Sequence, residues 1–185
     1  IRIQNLTWMD DNTKLKAIDK LEKITVKIGY PDKWKDYSLL NIVSLDKGGS
    51  YFDNQLNLYT WKRQENLDKL HKKVDKEEWF MSPQIVNAYY NPSNNEIVFP
   101  AGILQPPFYD FQADPAVNYG GIGAVIGHEI SHGFDDSGAD YDGDGNLVKW
   151  WTDSDYEKFN ELGDSLAAQY SRIEVLPEVF INGKF

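Results

Sequence analysis

The sequence predicts an α+β domain that is mainly helical and contains a small β-sheet. Apolar residues recur at helical spacing in four segments, and a stretch rich in strand-forming residues around a turn cluster separates the second segment from the third. No internal repeat, low-complexity tract or linker divides the 185 residues, a length that suits one domain. We therefore expect residues 1–185 to form one α+β domain.

Two amphipathic helices are predicted in the first half of the chain, over residues 11–27 and 55–76. Asp11 or Asn12 can cap the first helix, and the Gly29-Tyr30-Pro31 stretch ends it. The many charges of the second helix indicate a solvated face.

A β-hairpin is predicted over residues 85–100. Residues 85–90 and 96–100 are rich in β-branched and aromatic side chains, and the cluster at 91–95 between them is a turn signal. The Pro106-Pro107 pair then predicts an extended, irregular segment.

Two further helices are predicted, one over residues 117–134 and one beginning after a cap at Thr152 or Asp153. An Asp- and Gly-rich loop at 136–146 separates them. The helix over 117–134 is rich in glycine, which weakens an isolated helix but allows close packing against other backbone. We therefore expect this helix to be buried.

The composition excludes several classes of function. The formal net charge of −10 argues against nucleic acid or an anionic membrane surface as a partner, which leaves peptides and small molecules. Because the chain has no cysteine, disulfides, thiolate zinc sites and cysteine nucleophiles are excluded. No apolar run approaches the roughly 18 residues of a membrane span, and no signal peptide is present. Since the chain opens at Ile1 without the features of a natural start, we expect it to be part of a longer protein.

The strongest chemical signal is the H-E-x-x-H motif His128-Glu129-Ile130-Ser131-His132. Side chains four positions apart lie on one helix face, so the two imidazoles can bind one Zn²⁺ at about 2.0–2.1 Å each. Glu129 lies about 100° around the same turn, where it can accept a proton from zinc-bound water and act as the base of a peptidase. The motif therefore predicts Zn²⁺ as the cofactor, His128 and His132 as its ligands, and Glu129 as the catalytic base.

A catalytic zinc needs a third protein ligand, which these residues leave open. A metzincin would have Gly at position 135 and His at 138, whereas this chain has Asp135 and Gly138. Glu157 and Glu161 are candidates by spacing alone, and a zinc hydrolase completed by either is an alternative hypothesis. Asp135 is predicted to accept the free N–H of a ligand imidazole.

A calcium or interaction module is a further alternative, because residues 140–145 match positions 1, 3, 5 and 6 of an EF-hand loop. Position 12 of that loop would be Trp151 instead of glutamate, and no flanking helix enters where one is needed. We therefore expect a hairpin or turn there.

Together these residues resemble the catalytic domain of the neprilysin and endothelin-converting-enzyme family, and within it the bacterial oligopeptidase O type. The matching segments are LTWMD at 6–10, VDKEEW at 74–79, VNAYY at 86–90, IVFPAGILQPPF at 97–108, NYGGIGAVIGHEISHGFDD at 118–136, LVKWWT at 147–152 and ING at 181–183. The resemblance runs nearly end to end and is most specific over residues 86–136.

The resemblance implies a thermolysin-like zincin lobe in which an edge strand lies beside the active-site helix. It implies that Asn87 and Ala88 hydrogen-bond the substrate backbone, in agreement with the strand predicted there. It also implies a pocket for a large apolar side chain after the scissile bond, lined by Ile103, Phe108 and Val125. Ala124, where relatives can carry Met, would widen this pocket.

The chain departs from the family pattern at its end. The third zinc ligand of the family lies in an E-x-x-x-D motif shortly after the Asn-Gly pair at 182–183, and the chain stops at Phe185. The resemblance thus implies a partial catalytic domain that alone holds zinc weakly or not at all and hydrolyses peptides negligibly. The rest of the parent chain would supply the third ligand and a capping lobe. The parent is expected to be bacterial and periplasmic, lipid-anchored or secreted, with a cytoplasmic location as the alternative.

Overall fold

A three-stranded mixed sheet forms around the predicted hairpin in the computed structural model, which describes residues 2–184. Its strands are β1 (Thr25–Gly29), β2 (Tyr89–Asn91) and β3 (Glu96–Pro100), in the order β1-β3-β2. β2 pairs with β3 in antiparallel fashion, so the predicted hairpin is confirmed, and β1 runs parallel to β3. Every residue of the central strand β3 is buried, which makes it the core of the sheet.

The prediction of a helix over residues 11–27 is wrong in its last part, because the helix ends at Glu22 and a strand begins at Thr25. Helix α1 spans Asp11–Glu22 and is capped by Asp10, whose carboxylate accepts a hydrogen bond from the Asn12 N–H. The chain then turns into β1 because its backbone pairs with β3 along five residues. Lys27 of β1 also forms a buried 2.7 Å ion pair with Glu96, so tertiary pairing overrides the local helical spacing.

The other helices follow the predicted segments with shifted ends. The helix expected over 55–76 is α2 (Tyr51–Asp68), which begins where Ser50 accepts a hydrogen bond from the Asp53 N–H. The helix expected over 117–134 is two helices, α3 (Pro115–Gly120) and α4 (Ile122–His132). In the described part of the chain, no helix has the length and apolar character needed to cross a membrane.

The break between α3 and α4 results from a close approach of the chain to Phe108. The Ile122 N–H donates a 2.6 Å hydrogen bond to the Phe108 carbonyl oxygen. A Cβ atom on Gly121 would lie 2.4 Å from that oxygen, so only glycine allows this contact. The contact places Phe108 beside the start of α4.

Helix α5 (Asp153–Tyr170) begins after a Thr152 cap, as predicted, and a short two-stranded ribbon follows it as β4 (Glu174–Leu176) and β5 (Val179–Phe180). Asp155 of α5 is buried, and both of its carboxylate oxygens accept from the Asp10 N–H at 3.0 Å. This contact joins the start of α1 to the start of α5.

Two apolar clusters make up the core. The first consists of Met9, Ala17, Ala139, Trp150 and Trp151. The second consists of Ala88, Ile97, Phe99, Ile103 and Ile122, and it joins the sheet to the start of α4.

We expect Asp155→Asn to lower the free energy of unfolding at pH 7 by about 2 kcal/mol, because hydrogen bonds to a charged group contribute roughly 1.5–3 kcal/mol. Burial by itself would raise the pKa of Asp155, but hydrogen bonds from Thr13, Asp10 and Thr152 outweigh it and lower the pKa below 3.8. The contribution is therefore complete above the unfolded-state pKa and is lost as the pH falls through the lower, folded-state pKa.

Urea denaturation from pH 7 down to about pH 3 measures this difference. The control is Asp153→Asn, an exposed carboxylate in the same helical turn, for which we expect a much smaller loss. A gap between wild type and Asp155→Asn that does not narrow on acidification would contradict the expectation.

Candidate metal centre

The two imidazoles of the H-E-x-x-H motif face the same point beside α4. His128 and His132 lie one helical turn apart, and their Nε2 atoms are 3.0 Å from each other. The rings meet edge to face with 4.5 Å between their centroids. His128 is exposed and His132 half-buried, so the Nε2 pair is accessible from solvent.

Asp135 fixes the orientation of His132. One carboxylate oxygen, Oδ2, lies 2.7 Å from His132 Nδ1. The other oxygen, Oδ1, accepts hydrogen bonds from the backbone N–H groups of Ser137 at 3.0 Å and Gly138 at 2.7 Å. Because the ionised carboxylate can only accept, His132 donates from Nδ1, and its Nε2 presents a lone pair on the side of His128 Nε2.

The turn that holds Asp135 requires glycine at position 138. A Cβ atom on Gly138 would lie 1.8 Å from the His132 carbonyl oxygen, so the chain can fold back onto the end of α4 only without a side chain there. This closeness brings the Gly138 N–H to the Asp135 carboxylate.

Glu129 is buried between the helix and the hairpin, with 4% of its surface exposed. Burial raises the pKa of its carboxyl, and the neighbouring His128 and His132 and a backbone hydrogen bond of Tyr90 offset part of that rise. A buried carboxyl with a raised pKa beside two histidines is typical of a functional site.

Two depressions meet at His128 and Glu129. The first has a volume of about 350 Å³ and is lined by Val86, Asn87, Ile103, Phe108, Ala124, Val125, His128 and Glu129. It therefore brings together the three residues that the resemblance assigns to an apolar pocket.

The second depression, of about 500 Å³, lies on the other side of the same pair and also reaches His132, Asp135, Ser137 and Gly138. Asn87 lines both depressions, and Ala88, Tyr89 and Tyr90 line the second. A polypeptide that passed from one to the other would cross Glu129 and the imidazole pair.

The structure corrects the placement of Asn87 and Ala88. Both residues precede β2, which begins at Tyr89, and they do not form part of the edge strand. The Asn87 side-chain oxygen accepts a hydrogen bond from the Ala88 N–H at 2.9 Å. Pairing with β3 begins only at Tyr89, so the predicted strand is shorter at this end.

The in-chain candidates for a third ligand do not join the histidine pair. Within residues 2–184, no three His, Cys, Asp or Glu side chains are grouped so that they could hold a metal ion. Glu161 instead forms a 2.6 Å ion pair with Lys158 on α5. The alternative hypothesis that Glu157 or Glu161 completes the site therefore has no support in this geometry.

The acidic loop at 140–145 is a hairpin turn, as expected. A β-bridge between Tyr141 and Leu147 closes it, and the Asp142 carboxylate accepts from the backbone N–H groups of Asp144 and Asn146. Asp144 pairs with Lys23 at 3.2 Å.

Three residues that complete the surroundings of the imidazole pair carried no functional prediction from the sequence. Tyr90, Ser137 and Gly138 line the second depression, and the Ser137 and Gly138 amides hold Asp135. The glycine three residues after Asp135 was the available signal, because a carboxylate commonly accepts from backbone N–H groups two and three residues further on.

Comparisons with known proteins identify the family of this chain. The profile of peptidase family M13 matches residues 87–185, and a second M13 profile matches residues 1–31. The chain belongs to peptidase family M13. This M13 chain is 42% identical to Neprilysin-3 of Drosophila melanogaster. The match covers 100% of this chain and 24% of Neprilysin-3. The predicted neprilysin-family membership is therefore confirmed.

Two solved M13 relatives share the fold. The zinc metalloprotease Zmp1 of Mycobacterium tuberculosis, solved with an inhibitor, is 53% identical with a TM-score of 0.89, over 98% of this chain and 28% of that one. PepO from Lactobacillus rhamnosis is 41% identical with a TM-score of 0.87 over the same 98% and 28%. The M13 chain thus spans about a quarter of the length of its relatives.

We expect Gly138→Ala to lower the free energy of unfolding by about 2–4 kcal/mol, because the added methyl group cannot fit against the His132 carbonyl without moving the turn. Urea denaturation measures the loss. In the matched control, Gly127→Ala, the new methyl group meets nothing within 4 Å inside α4. That control should gain about 0.5–1 kcal/mol from helix propensity. Equal effects at both positions would count against the close approach at residue 138.

Proposed function

We propose that this chain carries the metal-binding helix and the catalytic base of a zinc endopeptidase that hydrolyses oligopeptides. The observation that carries the proposal is the pair of Nε2 atoms of His128 and His132, which lie 3.0 Å apart beside the buried carboxyl of Glu129. Membership of peptidase family M13 and the likeness to a zinc metalloprotease support it.

The donor set fits zinc. Imidazole nitrogen is a common zinc ligand, and two ligands at about 2.0–2.1 Å from a tetrahedral zinc lie about 3.3 Å apart. The observed 3.0 Å separation approaches this value, and a small outward rotation of the rings would reach it. Asp135 keeps His132 in the tautomer that metal binding needs. When bound, zinc supplies Lewis acidity and lowers the pKa of water towards 7.

Glu129 is the residue that moves the proton in this proposal. Its carboxylate accepts a proton from the attacking water and then delivers it to the leaving nitrogen of the peptide. Because burial raises the pKa of Glu129, the carboxyl holds the proton more readily between these two steps than an exposed glutamate would. Its place where the two depressions meet puts it beside a peptide bond that spans them.

Asn87 and Ala88 orient the substrate in this proposal by hydrogen-bonding its extended backbone. The apolar wall formed by Ile103, Phe108 and Val125 then receives the side chain after the scissile bond. The depression that this wall lines has a volume of about 350 Å³, which suits a large apolar side chain.

The third zinc ligand and a capping lobe come, in this proposal, from the remainder of a longer protein. Two observations support this: the described residues bring together only two metal-binding histidines, and the relatives are about four times longer. The 185 residues alone would therefore bind zinc weakly and show negligible hydrolysis.

We expect His128→Ala and His132→Ala each to abolish measurable zinc binding by the 185-residue chain, because either change leaves a single imidazole. Isothermal titration with Zn²⁺ is the measurement. His71→Ala is the matched control, since His71 is exposed in a turn after α2, and it should leave zinc affinity unchanged. Zinc affinity that survives loss of either motif histidine would refute the proposed centre.

We expect Glu129→Gln in the longer protein to lower kcat for peptide hydrolysis by about 10²–10⁴-fold, because glutamine cannot accept the proton. Bound zinc, measured by atomic emission, should stay at the wild-type level. Retained activity in Glu129→Gln would exclude this residue as the base.

The longer wild-type protein should also cleave test peptides with Phe after the scissile bond faster than those with Ala.

A further inference from the structure

A buried lysine on α1 contacts the turn that holds Asp135. The Lys20 side chain has 0% of its surface exposed. In the sequence, Lys20 lies more than 100 residues before the turn that it contacts. Its ammonium donates to the carbonyl oxygens of Gly138 at 2.6 Å and Tyr141 at 2.7 Å. These two carbonyls belong to the ends of one turn, so a single ammonium group holds both.

The surroundings of Lys20 are otherwise aromatic. The rings of Tyr90, Phe134 and Trp150 lie 5.5–6.0 Å from its Nζ. Burial lowers the pKa of Lys20 to about 8, against the opposing influence of Asp135 and Asp142. Removing a charge from water is unfavourable for folding, and an apolar side chain of similar volume is often as stable at such a position. The ammonium therefore calls for a role beyond core packing.

The backbone of Gly138 is held from both sides. Its carbonyl oxygen accepts from Lys20, and its N–H, which belongs to the preceding peptide group, donates to Asp135 Oδ1 at 2.7 Å. The other oxygen of Asp135 lies 2.7 Å from His132 Nδ1. Three consecutive hydrogen bonds thus connect α1 to the imidazole.

We propose that Lys20 is a positioning residue, which holds the backbone of Gly138 so that Asp135 keeps His132 in its Nδ1–H tautomer, with the Nε2 lone pair available to a metal. The zinc part of this inference rests on the proposed function, whereas the tautomer part concerns the metal-free chain. Lys20 touches neither histidine, and it acts only through the turn.

The absence of cysteine allows a test in which only the ammonium group changes. The Lys20→Cys chain is unfolded in urea, alkylated with 2-bromoethylamine and refolded, which restores an ammonium at nearly the original length. Alkylation of a second sample with 1-bromopropane gives a side chain of the same shape that ends in a methyl group.

The main readout is the tautomer of His132, from two-bond ¹H–¹⁵N correlation spectra of the metal-free chain near pH 7. We expect the Nδ1–H form in wild type and in the aminoethyl sample, and a mixture of tautomers in the propyl sample. Zinc titration should show an affinity reduced by roughly three- to ten-fold in the propyl sample alone, somewhat less than the loss typical for a group in direct contact with a ligand.

Lys27 provides the matched control, because it is a second buried lysine that bonds main-chain carbonyls and Glu96 away from the Asp135 turn. The propyl form of Lys27→Cys should lose stability to urea and keep the Nδ1–H tautomer of His132. If the propyl form of Lys20→Cys does not refold, Lys20→Met expressed directly gives the same comparison.

A propyl or Met form at position 20 with an unchanged His132 tautomer would overturn the proposal. The same tautomer change in the Lys27 control would also overturn it, because the change would then result from a general loss of stability and not from the contact of Lys20 with the Asp135 turn. If wild-type chain fails to bind zinc but the tautomer depends on Lys20, the zinc proposal fails and the positioning role stands.

Discussion

The carboxylate of Asp135 is the contact on which the geometry of the site depends. One oxygen bonds the His132 ring and the other bonds two backbone N–H groups of the following turn. A carboxylate held by two backbone donors cannot rotate freely, so its orientation passes to the imidazole. Without it, His132 could adopt either tautomer, and the Nε2 pair would lose its shared direction.

The contact in turn depends on how closely the chain folds around α4. Gly138 lets the turn after the helix approach the His132 carbonyl, and Gly121 lets the Phe108 segment approach the start of the helix. Both approaches exclude a side chain on steric grounds. Gly121 and Gly138 are therefore explained by backbone packing, whereas a methyl group at Gly127 would meet nothing within 4 Å.

The small sheet supplies the other side of the site. β3 is buried between β1 and β2, and the residues just before β2 lie opposite His128 and Glu129. Parallel pairing of β1 with β3 also sets the end of α1, the helix that carries Lys20. Helix α4 thus lies among segments separated by more than 100 residues in the chain.

Local patterns in the sequence were sufficient to predict the hairpin, the Thr152 cap and the placement of His128 and His132 on one helix face. They also predicted the position of Asp135, because three residues beyond a helical histidine remains within reach of its ring. Local patterns failed over residues 25–27, where helical spacing continues into a strand that forms only because β3 pairs with it. They also placed Asn87 and Ala88 inside a strand that begins only at Tyr89.

The sequence by itself determined the chemistry of the motif, since residue identity and a spacing of four on a helix need no distant partner. Only the tertiary structure decided the burial of Glu129, the two depressions that meet beside it and the link from Lys20 to the Asp135 turn. These features arise from contacts between remote segments. Their energies depend on which groups are buried together, and the spacing of apolar residues in the sequence does not show this.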